Sequence, residues 1–173
     1  MKQQKNRAIF LDRDGIINVD SGYVHKIEDF KFTSGIFKTL QYLQKQGYLL
    51  VIVTNQSGIA RGYYDEQAYM DLTIHMMEKL SLKGISIKGV YHCPHGPDEG
   101  CRCRKPRSGM FKVAQKEFKL DMKNSWMIGD KESDMKAGVN AGVKNRILLS
   151  KEKGISDATH RIKKISDVID IVV

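Results

Sequence analysis

The feature that most constrains the fold is a regular alternation between short apolar runs and longer segments of helical periodicity. The apolar runs predict buried strands at residues 8–11, 48–53, 85–91, 126–128 and 146–149. Helical spacing predicts helices at 35–46, 65–82, 109–119 and about 131–141, with a sixth strand near 161–165 and a short helix in the tail. Strands that alternate with helices form right-handed βαβ units. The sequence therefore predicts an α/β fold of three layers, a mostly parallel sheet with helices on both faces.

Length and charge limit the classes of partner. A chain of 173 residues is expected to form a single domain over 1–173. It carries 29 Lys and Arg against 20 Asp and Glu, a net charge of +9, which suits an anionic partner such as a phosphorylated small molecule. The basic residues are scattered and form no stripe, so we expect no nucleic-acid partner.

Membrane and secretory classes are excluded by the lengths of the apolar runs. None approaches the 18 or more residues that span a bilayer, so no membrane partner is expected. The basic residues 1–7 precede only a short apolar run at 8–11, which is too short for a signal peptide. These observations predict a cytoplasmic protein, and the absence of an obvious exposed apolar stripe predicts a monomer.

Acidic and hydroxyl side chains follow the predicted strands at their carboxyl ends, where ligands bind in such folds. Asp12 and Asp14 are two residues apart after the first strand, so both carboxylates can face one ligand. Gly15 allows the backbone to turn sharply there. Asp130 follows the fourth strand and brings a third acid to the same edge. Oxygen ligands without His or Cys predict a hard cation, best fitted by Mg²⁺.

These residues supply the groups that phosphoryl transfer requires. Asp12 can be the nucleophile, because carboxylates form aspartyl-phosphates. Asp14 can protonate the leaving alkoxide and then activate water. Thr54 can donate a hydrogen bond to the phosphate, and either Lys105 or Lys131 can neutralise its charge. The sequence therefore predicts a magnesium-dependent phosphatase with a phospho-aspartyl intermediate.

The same residues resemble the four ordered motifs of the haloacid dehalogenase (HAD) superfamily: Asp12-Arg13-Asp14-Gly15, Thr54, Lys105, and Gly129-Asp130-Lys131 with Asp134. Nearly end to end, the chain is similar to the heptose bisphosphate phosphatases within that superfamily. The resemblance is strongest at residues 20–25, 54–62, 104–106 and 129–131. It implies a HAD-like Rossmannoid fold without a separate cap domain. One departure is Ile16, where the superfamily often has Thr; it lies beyond the catalytic pair and is not expected to abolish activity.

The resemblance also implies roles for individual residues. Asp12 would be nucleophile and Mg²⁺ ligand, with Asp130 and the backbone carbonyl of Asp14 as the other protein ligands. Thr54 and Lys105 would stabilise the phosphoryl group, and Asp134 would support the site. The residues that would contact or frame the phosphorylated sugar are Asp20, Ser21, Gly22, Tyr23, Asn55, Gln56, Ser57, Arg104 and Lys131.

A second metal site is predicted in the loop at about 92–107. Cys93, His95, Cys101 and Cys103 provide three thiols and one imidazole, a complete tetrahedral set for structural Zn²⁺ with no open position. His92 is a competing imidazole, but His95 matches the family ligand. The last cysteine stands two residues before Lys105, so zinc would fix the segment that must reach the phosphate.

Alternative functions remain open at the level of sequence. The five residues between His95 and Cys101 resemble the short loop of histidinol-phosphate phosphatases, whereas residues 57–62 and 129–131 favour the heptose enzymes. Positive charge is the only feature in favour of a nucleic-acid 3′-phosphatase. In a non-enzymatic binding module that depends on zinc, Asp12, Asp14 and Asp130 would have no function.

Overall fold

The computed structural model describes residues 5–173, which fold around a six-stranded sheet. The strands are β1 (Ala8–Leu11), β2 (Leu49–Asn55), β3 (Ile87–Cys93), β4 (Trp126–Gly129), β5 (Asn145–Leu149) and β6 (His160–Ile162). The helices are α1 (Ile36–Lys45), α2 (Glu66–Leu82), α3 (Gly109–Phe118), α4 (Glu132–Ala141) and α5 (Val168–Ile171). Short 3-10 helices cover Ile27–Asp29, Met122–Asn124 and Ile165–Asp167.

The strand order places β1 near the centre of the sheet. The order is β3-β2-β1-β4-β5-β6, and every pair of neighbours runs parallel. The carboxyl ends of β1, β2 and β4 therefore lie side by side at one edge. The predicted α/β fold is confirmed, and all five strand pairs observed are parallel.

Each face of the sheet has its own apolar core, because side chains alternate along a strand. In β1, Ile9 and Leu11 pack into one core with α1, α2 and α5, while Ala8 and Phe10 pack into the other with α3 and α4. All four of these side chains are fully buried. An apolar run in a parallel strand is thus explained by burial on both faces, which confirms the three-layer architecture.

The boundaries of β3 and β6 differ from the predicted ones. β3 runs from Ile87 to Cys93 because its backbone continues to pair with β2 through Thr54 opposite His92 and Asn55 opposite Cys93. His92 and Cys93 therefore belong to a strand and not to the loop. β6 ends at Ile162, and the next segment turns into a 3-10 helix from Ile165. None of the described helices is long and apolar enough to cross a membrane.

Helix α2 begins at a side-chain cap that the structure shows directly. Asp65 has extended backbone angles, and its Oδ1 accepts a hydrogen bond from the Ala68 N–H at 2.8 Å. This bond satisfies one of the amide groups that the first turn of a helix leaves without a partner. The cap fixes the start of the helix immediately after the segment 56–64, which borders the candidate site.

We expect Asp65→Ala to lower the free energy of unfolding by about 1 kcal/mol, because the alanine side chain cannot accept the Ala68 N–H. Urea denaturation followed by circular dichroism measures this change. Asp65→Asn, which retains a capping oxygen, is the matched control and should keep most of the stability. Equal stability of the alanine and asparagine variants would contradict the capping role.

Candidate active site

The predicted catalytic side chains meet at the carboxyl edge formed by β1, β2 and β4. Asp12 follows β1, and its backbone N–H donates to the Ile128 carbonyl of β4 at 3.0 Å. A cavity of about 320 Å³ opens there. The residues that line it are Asp12, Asp14, Asp20, Gly22, Tyr23, Asn55, Gln56, Ser57, Tyr64, Arg104, Lys105, Lys131, Ser133 and Asp134.

The ammonium group of Lys105 is buried at the base of this cavity. Its Nζ donates to Asp12 Oδ1 at 2.9 Å and to the Val53 carbonyl at 2.8 Å, and lies 2.6 Å from Asp134 Oδ1. Burial alone lowers the pKa of a lysine, but the charges of Asp12 and Asp134 raise the pKa of Lys105 above its ordinary value. Lys105 is therefore charged and sits beside the proposed nucleophile.

The side-chain amide of Asn55 holds the backbone of Lys105. Asn55 Oδ1 accepts the Lys105 N–H at 3.0 Å, and Asn55 Nδ2 donates to the Lys105 carbonyl at 3.2 Å. Asn55 was predicted to frame the substrate, and it does line the cavity. The structure shows a second role for Asn55, which joins the end of β2 to the loop that carries Lys105.

Asp12, Asp130 and Asp134 place carboxylate oxygens within 4.8 Å of one another. Burial, followed by the charge of Asp12, raises the pKa of Asp130 to about 7, and burial together with Asp134 raises the pKa of Asp12. Asp134 already pairs with Lys105, and its Oδ2 accepts the Lys131 N–H at 3.1 Å. Both oxygens of Asp134 are therefore engaged, whereas Asp12 accepts Lys105 and the Arg13 N–H at Oδ1. Asp12 Oδ2 and Asp130 remain for a further cation.

The surroundings of Asp130 fit a small cation. Its Oδ1 is buried, and no hydrogen-bond donor within residues 5–173 reaches it. A Cβ on Gly15 would overlap the Asp130 carboxylate, and Gly15 has φ +88°, a conformation that other residues adopt with strain. The glycine thus lets the backbone after Asp14 approach Asp130 closely, and an oxygen without a donor beside it is suited to a hard ion.

The carboxylate of Asp14 is held by donors on several sides. The buried guanidinium of Arg13 donates to Asp14 Oδ1 at 2.9 Å and to the Val24 carbonyl at 2.6 Å. Asn18 Nδ2 donates to Oδ1 at 3.0 Å, and Gln56 Nε2 donates to Oδ2 at 3.1 Å. Asp14 therefore has a fixed orientation at the cavity wall, and Arg13 joins it to the rim segment 20–25.

Of the residues predicted to contact or frame the substrate, all except Ser21 line the cavity. Asp20 and Lys131 approach each other at 3.4 Å across the rim, and Arg104 donates to the His95 carbonyl at 3.3 Å. Ser21 belongs to the same turn as Asp20 but is not among the residues that line the cavity. Thr54 is fully buried behind the lining, where its Oγ1 accepts a hydrogen bond from Gln56 Nε2 at 2.8 Å.

Two lining residues, Tyr64 and Ser133, were missed in the sequence. Ser133 stands in the first turn of α4, three residues after Asp130 of the Gly129-Asp130 motif. Its position at a helix N-terminus next to a catalytic strand is a signal that could have identified it, because phosphate oxygens bind there. Tyr64 carries no motif signal, since only the folding of the segment 56–64 brings it to the cavity.

The four predicted zinc ligands converge in the loop after β3. Cys93 Sγ lies 3.0 Å from Cys103 Sγ, 3.6 Å from Cys101 Sγ and 3.5 Å from His95 Nδ1. Burial by itself raises the pKa of Cys101, but hydrogen bonds from the Arg104 N–H and the neighbouring thiols lower it to about 7. Thiolates and an imidazole at these distances can bind one metal ion.

His92 does not belong to this cluster. Its Nε2 lies 2.9 Å from Glu66 Oε2, and its ring packs on Tyr69 with a centroid distance of 4.0 Å. The alternation of side chains along β3 explains the difference, because His92 and Cys93 point to opposite faces of the sheet.

Comparisons with known proteins agree with this geometry. A family model described as polynucleotide kinase 3 phosphatase matches residues 8–159. The D-glycero-alpha-D-manno-heptose-1,7-bisphosphate 7-phosphatase of Campylobacter jejuni is 49% identical over 96% of this chain and 95% of that protein. The corresponding beta-heptose enzyme of Haemophilus influenzae is 48% identical over 87% of this chain and 85% of its own.

A solved structure gives the same result. The D,D-heptose 1,7-bisphosphate phosphatase from B. bronchiseptica, complexed with magnesium and phosphate, superimposes with a TM-score of 0.87 and 28% identity, covering 96% of this chain and 97% of that one. This chain belongs to the heptose bisphosphate phosphatase family of the HAD superfamily. The predicted resemblance is confirmed, and so is the HAD-like Rossmannoid fold.

The metal-free protein should lose stability as pH rises from about 4 to about 7. In this window the folded protein keeps a proton on Asp130, whose pKa is about 7, while the unfolded chain releases it near the ordinary value of 3.8. The melting temperature in a chelating buffer measures this loss. Mg²⁺ should raise the melting temperature more at pH 7.5 than at pH 5, because the ion competes with the proton.

Asp130→Asn should flatten this pH dependence and remove most of the stabilisation by Mg²⁺. Asp71→Asn, at an exposed position of α2, is the control and should leave both unchanged. Stabilisation by Mg²⁺ that is equal in the Asp130→Asn variant and in the unmodified protein would contradict a cation at Asp130.

Proposed function

We propose that this protein hydrolyses the 7-phosphate of D-glycero-D-manno-heptose 1,7-bisphosphate through a phospho-aspartyl intermediate on Asp12, in the formation of nucleotide-activated heptose for surface glycans. The observation that carries the proposal is the buried contact between Asp12 and Lys105 at the base of an open cavity. Relatives with that activity in their names match almost the whole chain, which supports the substrate class.

In the first step, an oxygen of Asp12 attacks phosphorus and the bond from phosphorus to the sugar oxygen breaks. Asp14 gives its proton to that oxygen, which leaves as a hydroxyl group. In the second step, Asp14 takes a proton from water while the water oxygen attacks phosphorus. The bond from phosphorus to Asp12 then breaks, which releases inorganic phosphate, frees the Asp12 carboxylate and leaves Asp14 protonated, as it was before the first step.

The remaining residues stabilise the phosphoryl group. Lys105 supplies positive charge beside Asp12, and the Thr54 hydroxyl can donate to a phosphoryl oxygen. Asp12, Asp130 and the backbone carbonyl of Asp14 would hold Mg²⁺, which supplies neutralisation of the charge that develops on the phosphoryl oxygens. Arg104 and Lys131 add positive charge at the rim, as a substrate with two phosphates requires.

We further propose that the cluster of Cys93, His95, Cys101 and Cys103 binds structural Zn²⁺. The donor set supports this, because three sulfur ligands and one nitrogen ligand in close contact favour tetrahedral zinc and leave no open position. Bound zinc would hold the loop from which Lys105 reaches Asp12.

Steady-state kcat/KM on a panel of substrates tests the activity. Heptose 1,7-bisphosphate, as each anomer, should be preferred over histidinol phosphate and over a 3′-phosphorylated oligonucleotide. Histidinol phosphate is the second candidate because of the short spacing between His95 and Cys101. Asp12→Asn should abolish turnover, because a neutral amide is not a nucleophile. Higher kcat/KM for histidinol phosphate, or intact turnover by Asp12→Asn, would refute the substrate or the mechanism respectively.

Cys101→Ser should reduce bound zinc well below one equivalent and lower the melting temperature, because a hydroxyl binds zinc more weakly than a thiolate. Elemental analysis and thermal denaturation measure the two effects. Ser81→Ala, a surface change in α2, is the control. A full zinc equivalent in Cys101→Ser would argue against the ligand set.

A further inference from the structure

The side-chain amide of Gln56 lies between the two groups that act on the phosphate. Its Nε2 donates one hydrogen to Asp14 Oδ2 at 3.1 Å and the other to Thr54 Oγ1 at 2.8 Å. Because Thr54 Oγ1 already accepts a hydrogen bond, its own hydrogen remains available for a phosphoryl oxygen. One amide group therefore sets the direction of both the acid/base and the phosphate donor.

This arrangement requires the Gln56 amide to face one way only. If the amide turned by 180°, Oε1 would face the Asp14 carboxylate, where two acceptors repel each other. Oε1 would also accept the Thr54 hydrogen and take it away from the phosphate. A group that binds Oε1 on the far side therefore selects the productive orientation.

Tyr64 is that group. Its hydroxyl donates to Gln56 Oε1 at 2.5 Å, and the side chain is buried. Burial raises the pKa of Tyr64 to about 12, so the hydroxyl keeps its proton at neutral pH. The hydroxyl is thus a hydrogen-bond donor at neutral pH.

The ring of Tyr64 is held on two sides. The His25 ring stacks on it with a centroid distance of 4.8 Å and an interplanar angle of 7°. The backbone of Gly58 packs so closely on it that a Cβ there would overlap the ring. His25 Nδ1 lies 2.7 Å from the Tyr23 carbonyl, which fixes the imidazole to the rim. Packing of this kind gives the hydroxyl one position.

We propose that Tyr64 is a positioning residue, which locks the Gln56 amide so that Asp14 is aimed at the leaving oxygen and the Thr54 hydrogen at the phosphate. The inference deepens the proposed phosphatase activity and rests on it. Tyr64 does not exchange a proton with the substrate; it acts through Gln56.

The leaving group separates this role from a purely structural one. A sugar alkoxide is a poor leaving group and needs the proton of Asp14, whereas p-nitrophenolate is a good one and needs it far less. A misdirected Asp14 should therefore slow phosphoryl transfer from a sugar phosphate more than transfer from p-nitrophenyl phosphate. General damage to the site would slow both alike.

The experiment compares single-turnover phosphoryl transfer to Asp12 from heptose 1,7-bisphosphate and from p-nitrophenyl phosphate, each with Mg²⁺. Tyr64→Phe keeps the ring and removes the hydroxyl; the ratio of the sugar rate to the aryl rate should fall about fivefold, the effect of one lost hydrogen bond. Tyr69→Phe is the matched control, because its buried hydroxyl has no partner among the described side chains. An unchanged ratio in Tyr64→Phe would overturn the proposal.

Two further variants keep the test decisive. Gly58→Ala should displace the Tyr64 ring and lower the same ratio, since the Gly58 backbone itself can accept alanine. In an Asp14→Asn background, Tyr64→Phe should no longer change the ratio of the sugar rate to the aryl rate, because Asp14 is absent and loss of the Thr54 donor slows both substrates alike. A fall in this ratio in the double variant, relative to Asp14→Asn alone, as large as the fall that Tyr64→Phe causes by itself would refute the connection through Asp14.

Failure of the proposed function can be distinguished from failure of the positioning role of Tyr64. If the unmodified enzyme does not cleave heptose 1,7-bisphosphate, the substrate assignment fails. The same ratio is then measured with glycerol 3-phosphate, whose alkoxide needs the same proton. Failure to cleave either alkyl phosphate would remove the basis of both proposals.

Discussion

The site depends on one buried ion cluster, the ammonium of Lys105 between Asp12 and Asp134. A charge removed from water is costly unless it is paired and hydrogen-bonded. Here two carboxylates and the Val53 carbonyl surround the ammonium group within 2.9 Å. Loss of any one charge would leave the others uncompensated, so the cluster fixes Asp12 as firmly as it fixes the lysine.

The cluster brings together three parts of the chain that are distant in sequence. Asp12 follows β1, Lys105 comes from the loop after β3, and Asp134 stands in the first turn of α4. Asn55 ties the backbone of Lys105 to β2, and the last cysteine of the Cys/His cluster stands two residues before the lysine. The lysine is thus held from both directions, which gives the positional precision that catalysis requires.

A second network holds the opposite wall of the cavity. Arg13, Asn18 and Gln56 all donate to Asp14, and Tyr64 orients Gln56. The proposed nucleophile and the proposed acid/base are therefore held by separate sets of contacts. The carboxyl group of Asp12 accepts a hydrogen bond from the Lys105 ammonium, whereas that of Asp14 is surrounded by donors at the wall that reaches the rim. This separation allows two aspartates two residues apart to take different roles.

The sequence by itself determined the fold class and most of the proposed catalytic set. Buried strands of a parallel sheet are continuously apolar, and their carboxyl ends must meet, so Asp12, Thr54 and Asp130 could be assigned to one edge from local pattern alone. The ligand types in the Cys/His loop were equally local information. Resemblance to a family favoured Lys105 over Lys131 beside the phosphoryl group and added the rim residues.

Only the tertiary structure decided how these groups pair. Pairing with β2 extends β3 to Cys93, and Asp134 forms an ion pair with Lys105. One oxygen of Asp130 has no hydrogen-bond donor among the described residues. The tertiary structure also brought Ser133 and Tyr64 to the cavity, and Tyr64 carries no motif signal. The physical reason is that hydrogen bonds and ion pairs depend on distances of about 3 Å between segments far apart in the chain. Those distances are set by strand pairing and core packing, which sequence spacing does not encode.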